Sequence, residues 1–82
     1  MLPPYAVYIL KCSDGSYYTG CSSKLQNRMK AHQAGEVKYT RKRLPVELVH
    51  TSLFMDKKKA YNFERYLKSG SGIAFRNKRL VE

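Results

Sequence analysis

A glutamate set within the apolar stripe of a helix is the residue of this sequence best placed to do chemistry. Between Lys57 and Lys68, Ala60, Phe63 and Leu67 recur at helical spacing, and Glu64 falls inside their stripe. Glutamate is almost never fully buried without a partner. Burying it unpaired would be costly or would shift its pKa until the carboxyl became neutral. Glu64 therefore needs an arginine partner, a metal ion or an open cleft. An ion pair with Arg28 or Arg65 is the purely structural option, and a metal ligand in a cleft is the chemical one. A second pair of groups stands on an earlier helix. At about 100° per residue, Leu25, Arg28, Met29 and His32 share one stripe. That puts a guanidinium and an imidazole one turn apart at the edge of a sheet-facing surface. Taken singly, each reads as structural, because an arginine stem can pack while its head stays in water.

Two phenols come from the preceding segment. Tyr5 to Cys12 is rich in Val, Ile and Tyr and reads as a central strand, and Ser16 to Cys21 reads as its hairpin partner. A three-residue loop, Ser13-Asp14-Gly15, needs a left-handed residue in third place, which Gly15 supplies. Cys12 then pairs with Ser16, Leu10 with Tyr18, and Tyr8 with Gly20. Tyr8 and Tyr18 thus share a face, with open space left by Gly20 beside the Tyr8 ring. On sheet pattern alone, two tyrosines packed under a helix account for this.

The remaining elements follow from local signals. Ser22 or Ser23 caps a helix over Lys24–Ala34, stopped by Gly35. A basic loop, residues 38–43, leads to a third strand, Val46–Phe54. Asp56 caps the helix that carries Glu64, Ser69-Gly70-Ser71-Gly72 breaks it, and Ile73 to Leu80 forms a short final helix or turn. The order β-β-α-β-α(-α) predicts an α+β fold, a small sheet covered by helices.

Composition narrows the function. The 82 residues are expected to form one small domain over residues 1–82, with no room for a separate cofactor-binding or substrate domain. Seven Tyr and three Phe spread among many aliphatics argue against disorder. The longest strictly apolar run, Tyr5 to Leu10, is far short of the ~20 residues a membrane span needs. The opening residues carry no basic, cleavable leader, and Cys12 and Cys21 make one disulfide at most. A cytoplasmic protein with reduced thiols is expected. Sixteen Lys and Arg against six Asp and Glu give a formal net charge of +10, which points to a polyanionic partner, foremost nucleic acid.

With these residues in view, the sequence resembles the GIY-YIG endonuclease superfamily over nearly its whole length. The first signature stands as Ala6-Val7-Tyr8 and the second as Tyr18-Thr19-Gly20, followed by Leu25, Arg28, His32 and Glu64. In size it is similar to the small stand-alone bacterial members. The excision-repair nuclease and the homing endonucleases carry the same module with extra domains. The resemblance implies a three-stranded antiparallel sheet flanked by helices, with the site on one sheet face. It implies Tyr8, Tyr18, Arg28, His32 and Glu64 as catalytic residues, Glu64 as the metal ligand, and Asn77 as a candidate completing the site. Ala6 replaces the first signature glycine and Thr19 the central isoleucine, and neither change removes a chemical group.

These groups suit hydrolysis of a phosphodiester. One carboxylate fits Mg²⁺, or Mn²⁺, as a single ion that keeps most of its waters. No Cys/His cluster has zinc spacing. Arg28 can grip phosphate oxygens. Tyr8 or Tyr18 can orient or deprotonate the attacking water, with His32 as alternative base or relay. Lys38, Arg41, Lys42 and Arg43 are candidates for backbone contact, as is the run Lys57-Lys58-Lys59. With no recognition helix, structure-selective cutting of DNA, in preference to RNA, is expected in repair or recombination, with a protein partner directing the cut as one option. A non-catalytic nucleic-acid-binding module on the same fold is the alternative, and an accessory protein whose charge serves a protein partner is a third.

Overall fold

The computed structural model describes residues 2–81. Three strands, β1 (Tyr5–Lys11), β2 (Tyr17–Ser22) and β3 (Glu47–Phe54), form one antiparallel sheet in the order β2-β1-β3. Three helices, α1 (Leu25–Gln33), α2 (Lys57–Leu67) and α3 (Gly70–Arg79), complete the α+β fold. β1 lies in the middle because Ala6, Val7, Tyr8, Ile9 and Leu10 are all buried, so both its faces are covered.

The hairpin takes the predicted register. Leu10 faces Tyr18 and Tyr8 faces Gly20. The Cys12 amide donates to the Ser16 carbonyl at 2.8 Å, and Gly15 adopts φ +85°, as the three-residue loop requires. Asp14 holds this loop by accepting from the Ser16 amide and hydroxyl.

The sheet separates two apolar clusters. Val7 and Ile9 pack under α2 with Ala60 and Leu67, joined by Tyr17, Cys21 and Phe63. Tyr8 and Leu10 pack on the opposite side, joined by Tyr18 and by Leu25 and Met29 of α1. Cys12 and Cys21 belong to different sides.

Helix boundaries differ in detail from the sequence reading. α1 begins without a side-chain cap, since Lys24 takes the N-cap position and the Ser22 hydroxyl accepts from the Lys24 amide. Gly35, at φ +78°, ends the α1 segment as expected. Asp56 caps α2 by accepting from the Lys58 amide at 2.9 Å. The Ser-Gly-Ser-Gly stretch is the largest departure. Only Lys68 and Ser69 separate α2 from α3; Ser69 caps α3, and both glycines lie in its first turn. Gly72 is buried there because any Cβ would collide with the Tyr66 carbonyl and the Leu67 backbone. The glycines thus turn the chain sharply and let α3 press against the end of α2.

Candidate active site

Four of the predicted site residues gather on the α1 side of the sheet. Tyr8 is fully buried, and its hydroxyl lies 3.0 Å from His32 Nε2. His32 is also buried, with Nδ1 2.8 Å from the Thr40 hydroxyl. Thr40 reaches on to the Val37 carbonyl at 3.5 Å. One proton arrangement satisfies all three links. The Thr40 hydroxyl points to Val37, so its oxygen accepts from His32 Nδ1–H, and His32 Nε2 accepts from Tyr8. The Tyr18 ring closes the cluster, 6.2 Å from Tyr8 and 4.9 Å from His32 between centroids. Arg28 brings its guanidinium beside both phenols.

The electrostatics follow from this packing. Burial pushes the Tyr8 phenol above its ordinary pKa, while the Arg28 guanidinium opposes the rise. Burial also pulls His32 below its ordinary value, aided by the Arg28 charge. At neutral pH the buried chain is therefore a neutral phenol donating to a neutral imidazole. Arg28 is held in its charged form, chiefly by the Tyr8 hydroxyl.

Glycine at position 20 makes room for this. A Cβ there would stand 2.5 Å from both Cζ and the hydroxyl of Tyr8. The open space expected beside the Tyr8 ring is in fact filled by the ring itself, which lies over the β2 backbone.

Glu64 stands on the other side of the sheet. It rises from α2 and faces Cys21 of β2, whose thiol is pushed up by burial first and by the Glu64 carboxylate second. Its side chain is only 15% exposed, and its partner is neither Arg28 nor Arg65 but Lys68, one turn on, at 3.0 Å. That pairing corrects the arginine options drawn from sequence, and the Glu-to-Lys spacing of four residues was the available signal. Glu64 and the phenols thus stand on different sides of the sheet. β2 is an edge strand, and a groove lined by Tyr18, Thr19, Tyr39, Lys68 and Arg76 wraps around that edge. Lys68, the partner of Glu64, and Tyr18, which packs on Tyr8 and His32, both line it.

The basic loop divides in two. Lys38, Arg41 and Lys42 are exposed. Arg43 is engaged within the protein. Its Nε donates to Asp14 at 3.1 Å, Nη1 donates to the Tyr39 carbonyl, and its guanidinium stacks 4.1 Å over the Tyr39 ring. This tie holds the loop against the β1–β2 turn and leaves the Arg43 side chain part-exposed. Asn77 is exposed on α3, and its side-chain oxygen accepts twice from Arg76. Thr40 had no sequence signal, because it comes under His32 only through the path of the loop.

Among the described residues, no three His, Cys, Asp or Glu side chains converge. Glu64 pairs through one oxygen with Lys68, which lines the groove, and its second oxygen has no hydrogen bond among the described residues. A Mg²⁺ ion, which takes few protein oxygens and keeps several waters, fits such a donor set once Lys68 releases the carboxylate.

Comparison with known proteins places the chain in a family. The family model described as the GIY-YIG catalytic domain matches residues 4–77. A UPF0213 protein of Natronomonas pharaonis is 46% identical over 70 residues, 84% of this chain and 82% of the relative. One from Clostridium perfringens is 51% identical over 63 residues, 76% of this chain and 68% of the relative. The solution NMR structure of a UPF0213 protein from Bacillus halodurans matches with a TM-score of 0.58 at 39% identity, covering 90% of this chain and 82% of that one.

Proposed function

Since the chain belongs to the GIY-YIG catalytic domain family, we propose that it is a divalent-metal-dependent endonuclease that hydrolyses phosphodiester bonds in DNA. The single observation that carries this reading is the Tyr8–His32–Thr40 chain, with Arg28 beside both phenols. A buried imidazole hydrogen-bonded to a phenol gives Arg28 and Tyr18 a fixed floor on which to meet a phosphate and its attacking water.

Each residue then has a distinct task. Arg28 binds phosphoryl oxygens and stabilises the charge that builds on them during attack. Tyr8, fully buried and held by His32 Nε2, meets no water and acts as a positioning residue beneath Tyr18 and Arg28. Thr40 fixes the His32 tautomer that accepts from Tyr8. His32, equally buried, holds the Tyr8 ring in place and is not a base touching water. Tyr18, half-buried at the groove edge, orients the water or the phosphate. Glu64 is the metal ligand, and a Mg²⁺ or Mn²⁺ ion held there supplies further neutralisation of the phosphoryl charge. Lys38, Arg41 and Lys42 carry the approaching strand.

The substrate is DNA in an irregular form, cut by structure rather than sequence, in repair or recombination in the cytoplasm. No recognition helix is present among the described elements to read bases. The test is a panel of single-stranded, duplex, flap, fork and junction DNA, incubated with and without Mg²⁺. Cleavage that needs the metal and favours one of the branched forms is expected. Binding without cleavage under every condition would instead support a non-catalytic nucleic-acid module.

A further inference from the structure

The groove around the β2 edge holds a polar group that the folded protein leaves unused. Thr19 is only 4% exposed, and its hydroxyl has no hydrogen-bond partner among the described residues. Buried hydroxyls without partners are uncommon, because the lost hydration is not replaced. This one sits beneath the floor of a groove of about 270 Å³ that Thr19 lines together with Lys68 and Arg76. Lys68 is half exposed, at 52%, so its ammonium is free to swing from Glu64 toward the groove. Arg76 is held over the Tyr17 ring at 5.1 Å. Tyr18 and Tyr39, 5.6 Å apart, form the opposite wall, and Tyr39 is braced from behind by Arg43.

We propose that Thr19, Lys68 and Arg76 form a phosphate subsite for the nucleic-acid backbone, continuous with the catalytic cluster through Tyr18. A hydroxyl, an ammonium and a guanidinium are the donor set that grips phosphate oxygens. The occupant is an anion because the groove carries two cations and a free donor on a chain of net charge +10. The subsite rests on the nuclease reading for its substrate, but it is defined by binding alone.

Lys68 links the two halves of the site. With no phosphate in the groove it neutralises Glu64. When its ammonium turns to a backbone phosphate, the Glu64 carboxylate is released toward the metal. Strand binding therefore prepares the metal ligand without any movement of the backbone.

The experiment measures binding of a fluorescein-labelled DNA fork by anisotropy in EDTA, across a range of salt concentrations, so that no cleavage occurs. Lys68→Gln and Arg76→Gln are each expected to weaken binding by about tenfold and to lower the log–log salt slope by about one. Thr19→Val removes the unpartnered hydroxyl at nearly constant shape. It is expected to weaken binding by about fivefold while leaving the urea midpoint unchanged or higher, since no internal bond is lost. Lys30→Gln is the control, exposed on α1 and outside both the groove and the basic segments. Equal losses from Lys30→Gln and the groove variants would mean diffuse basic attraction and would overturn the subsite. Wild-type affinity in all three groove variants would overturn it too, while leaving the nuclease reading intact. No binding by the wild-type protein at low salt would overturn both.

Discussion

The hydroxyl of Tyr8, at the centre of the sheet, donates to Nε2 of His32, on the helix above it, across 3.0 Å. The bond joins residues 24 positions apart in sequence, and no solvent reaches either side chain. Its direction is set from behind, where Thr40 holds the other ring nitrogen at 2.8 Å. That chain, and the elements that hold it, determine how the protein should respond to substitution and to pH.

Thr40 serves His32 through its oxygen, so changes at that position should sort by the hydroxyl and not by volume. Thr40→Val leaves a buried N–H unsatisfied and should destabilise the fold by about 1–3 kcal/mol. Thr40→Ser keeps the acceptor and should recover most of that loss. Urea midpoints of the two variants make the comparison.

Stability should fall as the solution is acidified through the ordinary imidazole range. The folded protein holds His32 below its ordinary value of 6.5, through burial first and the Arg28 charge second. Below that value the unfolded chain takes up a proton that the folded state refuses, so acid favours unfolding. The loss continues until pH reaches the depressed folded value. Tyr8 and Arg28, which face the ring, keep their protons throughout this window. A His32→Gln variant should show a flatter urea midpoint against pH.

Gly20 should not tolerate a methyl group. Its added Cβ would lie 2.5 Å from the end of the Tyr8 ring, which is boxed in by Tyr18 and His32. Gly20→Ala should cost about 1–3 kcal/mol and displace the hydroxyl from His32. The side-chain NMR signals of His32 would report that displacement, and an unchanged spectrum would contradict it.

Arg43 and Lys42 should separate despite standing side by side. Arg43→Ala breaks an exposed pair with Asp14, whose loss should leave the urea midpoint nearly unchanged. It also frees the Tyr39 carbonyl, so faster amide hydrogen exchange is expected in the β1–β2 turn and in residues 38–43. Lys42→Ala should leave exchange unchanged and weaken DNA binding with a lower salt slope.

Much of this was legible in the sequence because the signals were local. Alternation in β1 and a glycine in third place of its turn were enough to fix which residue faces Tyr8. Asp56 marked the start of α2 through its own side chain. Other features depend on the path of the chain in space. Nothing near Thr40 says that its loop returns beneath His32. The position of Glu64 in an apolar stripe revealed that it needed a partner, but not that α2 covers the sheet face opposite the phenols. Two helices can cover two faces in either arrangement, and the stripe of each reads the same. The paired glycines Gly70 and Gly72 look like a break in sequence, and only the packing of α3 on Tyr66 shows why a helix tolerates them.

The most direct measurement is the single-turnover cleavage rate in Mg²⁺ of the wild-type protein beside Arg28→Ala and Glu64→Ala, on the best DNA substrate found. Both side chains lie outside the two apolar clusters, so both variants should keep the circular dichroism of the parent. The account predicts a rate loss of at least about a hundredfold in each. Wild-type rates in either folded variant would contradict it.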